Sequence, residues 1–131
     1  MFRRTCAACH RLAGEGAAIG PALEGVGQRG PHRLLEDILD PNRNVDEAFR
    51  TTTATTTDGR TISGLRLRDE GADVVFADAT GREVRVARDA IDETVVSPLS
   101  PMPSNMAAQI GEQHLPDLLH YLLMQPPALR Q

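Results

Sequence analysis

Tryptophan and lysine are missing from this 131-residue chain, and aromatic residues are scarce, with one tyrosine and three phenylalanines making up 3 %. So few large rings leave little from which to build an apolar core of side chains alone, and they remove the platforms on which a nucleic-acid surface stacks bases. All 14 basic residues are arginines spread along the chain, against 18 Asp and Glu, for a formal charge of −4. No basic face is available for a phosphate backbone, so nucleic acid is not an expected partner. No apolar run reaches the roughly 18 residues of a membrane span, and no apolar stretch follows Met1-Phe2-Arg3-Arg4 to form a signal peptide. The length suits one domain, or one domain carrying a sizeable insert.

Cysteine is scarce too, but both copies stand together in Cys6-Ala7-Ala8-Cys9-His10. Two thiols three residues apart, followed at once by a histidine, form the attachment signature for c-type haem. On a helical turn positions i, i+3 and i+4 share one face, so both sulfurs can reach the two vinyl groups while the imidazole points at iron. The other uses of such a pair fit less well. A redox-active pair follows a strand in a βαβ unit, and none precedes Cys6. A zinc site needs four ligands, and His32, His114 and His120 are not paired at ligand spacing. A buried haem would also supply the large apolar body that the composition lacks.

Downstream, Gly20-Pro21-Ala22-Leu23-Glu24-Gly25-Val26-Gly27 reads as a loop with close backbone approaches. Pro31 then opens a helix with Leu34, Leu35, Ile38 and Leu39 as an inward stripe, and Pro41 stops it. His32, in its first turn, reads as a surface residue.

From about Phe49 to Val96 the period changes to alternation. Thr51–Thr57 is almost all β-branched, and Asp58-Gly59 signals a two-residue hairpin before Thr61–Arg68. Ile62 has even parity while Leu65 and Leu67 are odd, which predicts a bulge at Gly64. Asp73–Ala77, Glu83–Ala87 with Val84 and Val86 inward, and Thr94–Val96 complete five short strands. Their spacing predicts a small SH3-like or Sm-like barrel. Residues 49–97 hold seven Arg against nine Asp and Glu, with Phe76 as the interior aromatic, so this part is expected to stabilise the fold or dock a protein. The chain is thus expected to divide at 1–48, 49–97 and 98–131.

After the strands, Ser97-Pro98-Leu99-Ser100-Pro101-Met102-Pro103 places a methionine between two prolines on a stiff, extended loop. That suits a thioether ligand reaching iron from the side opposite His10. Met106 is the alternative ligand, although it reads as the first apolar position of a short helix. Gly111–Met124 is amphipathic, with Leu115, Leu118, Leu119 and Leu122 on one face and Tyr121 beside it. Pro126-Pro127 ends that helix, and the last residues are expected to be loose.

Two resemblances follow from these motifs. Gly20, Pro21 and Leu23 resemble the Gly-Pro-x-Leu segment of class I cytochromes c, which implies that the carbonyl of Pro21 accepts a hydrogen bond from the axial imidazole. The order CxxCH, GPxL, LLEDILDPNRNV, TTTDGRTISG, DATGREVRV, SPMPSNM and DLLHYLL resembles the haem-binding domain of planctomycete and verrucomicrobial type over nearly the whole chain. That family implies a mainly α cytochrome c fold interrupted by a β-rich insert, α+β overall. It implies Cys6 and Cys9 as thioether sites for haem c, His10 as proximal ligand and Met102 as distal ligand. Two departures stand out. Only five residues precede Cys6, leaving Phe2 to pack against Tyr121 and Leu118, and Ser-Pro stands before Met102 where an aliphatic residue is commoner.

The expected role is one-electron transfer through a His/Met haem, by a carrier and not an enzyme. The alternatives are a haem-based sensor of small ligands or a peroxidatic site, with Met102 displaced, and an interaction module centred on the strands. The expected partner is a redox protein, such as a dehydrogenase domain of the same parent chain. Attachment of c-type haem outside the bacterial cytoplasm implies an exported, periplasmic setting with the export signal upstream. The shortened first helix leaves an apolar groove that a second copy could fill.

Overall fold

Among the described residues, four α-helices and five β-strands are divided between two units, one formed by Met1–Arg43 with the chain from Pro103 onward, the other by Asn44–Met102. This computed structural model describes residues 1–126; the expectation of a loose end falls beyond them and lies outside the described residues.

The helices all belong to the first unit: α1 (Phe2–Thr5), α2 (Pro31–Leu39), α3 (Met106–Ile110) and α4 (Leu115–Leu123). Pro31 starts α2, where a missing amide costs nothing. Leu34 and Ile38, four residues apart, are buried, whereas Leu39 is 38 % exposed and is not part of the inward face. In α4 the buried pair is Leu118 and Leu122, again one turn apart. This helix is shorter than the expected 111–124, because Gly111 takes φ +87° and closes α3 instead, the left-handed exit that glycine favours. Phe2, only 5 % exposed, meets Tyr121 with ring centroids 6.0 Å apart at 43°, the packing expected of it.

The second unit is a five-stranded antiparallel sheet in the order β4-β3-β2-β1-β5, built from β1 (Thr52–Thr56), β2 (Thr61–Glu70), β3 (Asp73–Ala77), β4 (Glu83–Ala87) and β5 (Ile91–Val96). Alternation decides its faces: Thr52, Ala54 and Thr56 are buried while Thr53 and Thr55 are half-buried. Ala54, Val74, Phe76 and Val86 form the core, with Ile62, Val84 and Ile91 packed against it. The central part of β3 is buried on both faces. Val75 and Ala77 point away from that core yet are fully covered; Arg68 and Arg85 are the cross-strand partners of Val75, and Arg68 on β2 reaches Glu83 on β4 while Arg85 on β4 reaches Glu70 on β2. These pairs arch over β3, their aliphatic stems roofing it while their charged ends stay in water.

Three further expectations need correction. The fold is not mainly α with a small barrel insert: helix, with the short 3-10 turns included, accounts for only about 29 % of the described residues, and the sheet is a large open one whose edge strands β4 and β5 do not meet. The first hairpin does not have a two-residue turn. Thr56 N–H donates to Arg60 O at 2.8 Å and Gly59 N–H to Thr56 O at 3.0 Å, with Gly59 at φ +88°, a three-residue loop with left-handed glycine last. The β3–β4 hairpin repeats it: Asp78 N–H donates to Arg82 O and Gly81 N–H to Asp78 O. In each, the residue opening the loop also binds the closing arginine's amide by its side chain, Thr56 Oγ1 at 2.9 Å and Asp78 Oδ1 at 3.0 Å.

The irregularity in β2 is also not at Gly64. It falls between Arg66 and Arg68 in the β2–β3 register, while Gly64 pairs regularly with Thr52. Gly64 stands where β2 changes partner from β1 to β3, and a Cβ there would lie 2.1 Å from the carbonyl oxygen of Ala77. A close approach of backbones, not an inserted residue, explains this glycine.

Candidate functional site

The segment Cys6–His10 leaves α1 as a further turn and not as regular helix: Cys6 N–H donates to Phe2 O at 2.8 Å, and His10 N–H and Cys9 N–H both donate to Cys6 O, at 2.9 and 3.1 Å. The i to i+4 bond places both cysteines and the histidine on one turn of chain. No disulfide joins Cys6 and Cys9. Burial pushes the Cys6 thiol up, so its sulfur stays protonated and neutral near pH 7.

The glycine-rich stretch lies back along this turn. Ala17 N–H donates to Ala7 O, Ile19 and Gly20 N–H to Cys9 O, and Leu23 N–H to Arg11 O, at 2.7–3.1 Å. Its own tight turn closes by reciprocal Leu12 and Glu15 bonds, with Leu12 only 2 % exposed. Outside, the guanidinium of Arg3 donates to both Glu15 oxygens, at 2.8 and 2.6 Å, and holds that carboxyl below its ordinary range. The pair faces water and so adds little stability. Nothing in the sequence spacing announced it.

The stretch delivers two backbone features to the imidazole. His10 Nδ1–H donates to the carbonyl oxygen of Pro21 at 2.7 Å; a carbonyl can only accept, so Nδ1 carries the proton and Nε2 keeps its lone pair. Gly20 lies against the ring, where a Cβ would stand 2.8 Å from Cε1 and 3.1 Å from Nδ1. His10 is half-buried, whereas His32, His114 and His120 are exposed. Among the described residues, no group of three or more His, Cys, Asp or Glu converges as a metal site.

The two methionines fall in different surroundings. Met106 begins α3 and, at 3 % exposure, is buried in the first unit, as is Ile110 one turn on, as expected of a first apolar helix position. Met102 is the last residue of the sheet unit and half-buried. Its N–H donates to Ser100 Oγ at 3.1 Å, and Leu99 N–H donates to Ser97 Oγ at the same distance. The repeated Ser-Pro-x thus makes two successive hydroxyl-closed turns, a signal present in the sequence and missed there.

The family model described as Cytochrome c matches residues 1–77, more than half of the chain. No curated protein sequence matches it. An X-ray structure described as a Northeast Structural Genomics Consortium target aligns at 20 % identity and a TM-score of 0.33, over 36 % of this chain and 89 % of its own.

Proposed function

Since this chain belongs to the cytochrome c family, whose cofactor is covalently attached haem c, we propose that it is a one-electron carrier with His10 and Met102 as axial ligands. When bound, the haem supplies an iron that cycles between ferric and ferrous and so stores one electron.

The residues fit that group. Cys6 and Cys9 provide two sulfurs for the thioether bonds on the turn that also carries His10. The observation that carries the reading is the His10 Nδ1–H bond to Pro21 at 2.7 Å. It selects the tautomer whose Nε2 can donate to a metal, fixes the ring plane, and makes the ligand nitrogen more basic. Gly20 keeps the ring's flank free of side-chain atoms. For the second ligand, Met106 is occupied as core and three of the four histidines face solvent. Met102, half-buried on a loop with prolines on both sides, is supported as that ligand by its place in the Ser-Pro-Met-Pro segment. A thioether ligand raises the reduction potential relative to a second histidine.

Nothing in this role requires a residue to move a proton, and the chain acts as carrier and not as enzyme. Its partner is a redox protein, with a dehydrogenase domain of a longer parent chain as the first candidate. The order of motifs supports the planctomycete and verrucomicrobial type and, with it, an exported, periplasmic setting. No described helix is long and apolar enough to cross a membrane.

The test is intact mass and absorption of protein exported with a haem-attachment system, for wild type and Met102→Ala. One haem added to the mass, with a ferric sulfur-to-iron charge-transfer band that vanishes in the mutant, is expected. A mass without haem refutes the carrier; a mutant spectrum equal to wild type refutes Met102.

A further inference from the structure

We propose that the sheet serves the electron-transfer site by holding Met102 in place, with Thr51 and Ser100 as its positioning residues; this rests on the reading of Met102 as distal ligand. The β1–β5 ladder runs from Thr56 opposite Ile91 to Thr52 opposite Val96, but the pairing does not stop there. Ser97 N–H donates to Thr51 O and Thr51 N–H donates to Leu99 O, both at 2.8 Å. A single residue, Thr51, therefore uses both of its backbone groups to keep the departing chain against the sheet for three residues beyond β5. The two Ser-Pro-x turns then take over, Ser97 Oγ accepting from Leu99 N–H and Ser100 Oγ from Met102 N–H, each at 3.1 Å.

Proline does the rest. Pro98, Pro101 and Pro103 have no amide to satisfy and a fixed φ, and Pro103 biases Met102 itself toward extended backbone. From Ser97 to Pro103 the amides of residues 97, 99 and 102 are bonded and those of 98, 101 and 103 do not exist. A thioether is a neutral, weak ligand, so its occupancy depends on how little freedom its loop must lose on binding. The sheet supplies that order in advance. This assigns work to the strands that neither a passive insert nor a nucleic-acid surface would do, and it places the controlling groups in the second unit.

The test uses the haem-loaded full chain and reads the affinity of the ferric form for added imidazole, which competes with Met102 for iron, beside the charge-transfer band and the reduction potential. Ser100→Ala removes the hydroxyl acceptor. Thr51→Pro removes the amide that holds Leu99, at a site where the preceding Arg50 is already extended. Thr80→Ala, in the β3–β4 hairpin, removes a hydrogen bond to Asp78 and leaves the loop untouched. Each of the first two is expected to bind imidazole about fivefold more tightly than wild type, the equilibrium equivalent of one neutral hydrogen bond, with a weakened band and a lowered potential; Thr80→Ala should match wild type. Met102→Ala separates the two claims. If that variant keeps the wild-type band, the distal-ligand reading fails. If it loses the band while Ser100→Ala and Thr51→Pro bind imidazole as wild type does, the positioning claim fails. An equal shift in Thr80→Ala also overturns it, since general loosening of the sheet would then be the cause. Should Thr51→Pro not fold, judged by far-ultraviolet dichroism, Ser100→Ala alone decides.

Discussion

His10 and Pro21 are joined by a 2.7 Å hydrogen bond from imidazole Nδ1 to a backbone carbonyl, and the residue before the proline, Gly20, lies against the same ring. One dipeptide thus sets both the proton position and the orientation of the imidazole. Proline fixes its own φ and so the direction in which its carbonyl is presented, and glycine lets the backbone approach within contact distance.

Gly20→Ala is therefore expected to disturb the ring and not the rest of the unit. Its Cβ would stand 2.8 Å from His10 Cε1, so either the ring turns or the loop withdraws and the Pro21 bond lengthens. Overpacking of this kind costs about 1–3 kcal/mol. A lowered melting temperature, a smaller haem-loaded fraction and a shifted Soret band are expected; unchanged loading and spectrum would show that the ring's plane is set elsewhere.

Gly64→Ala tests the sheet in the same way. The clash is with the Ala77 carbonyl, 2.1 Å from the added carbon, and a carbonyl held in a ladder cannot turn aside as a side chain can. The loss should reach the upper part of the overpacking range, about 3 kcal/mol or more, seen as early loss of the strand signal on heating. If instead Gly64 were only a flexible bulge, alanine would cost a few tenths.

Phe76→Ala should cost about 3–5 kcal/mol, the range for truncating a buried phenylalanine. Phe76 is 1 % exposed at the centre of the sheet's core, in a chain with few other rings to fill the space. Chemical denaturation of the variant measures it.

Much of this was legible beforehand. Cys6, Cys9 and His10 stand in one pentapeptide, and Gly20-Pro21 follows closely, so their meeting is a local event that spacing can announce. The strands Asp73–Ala77 and Glu83–Ala87 match their expected bounds, because β-branched residues there alternate or cluster between clear turn signals. What spacing could not supply was closure. Whether five strands form a barrel or an open sheet depends on whether β4 meets β5, and no local pattern encodes that pairing. The parity change in β2 likewise admits two causes, a bulge or a change of partner strand. Both occur: the bulge beside Leu67 and the partner change at Gly64. Thr51's hold on the Met102 loop joins residues 48 positions apart and leaves no local trace beyond the doubled Ser-Pro.

Acid should loosen the sheet through the arch over β3. The carboxyls of Glu70 and Glu83 are held below the ordinary carboxylate range, chiefly by hydrogen bonds from Arg85 and Arg68 respectively, and that of Asp69 by Arg66. A carboxyl lowered by folding contributes stability that is complete above its unfolded value and is lost as pH falls through its folded one. The melting temperature is thus expected to be flat above about pH 5 and to fall from about pH 4 downward, less steeply in high salt, because the pairs are exposed. Glu83→Gln should flatten part of that fall. The roof adds a second readout at neutral pH: Arg68→Met keeps an aliphatic stem over Val75 whereas Arg68→Ala does not. The alanine variant should melt lower than the methionine variant. Equal melting of the two would mean that charge alone, and not cover, is what Arg68 gives to β3.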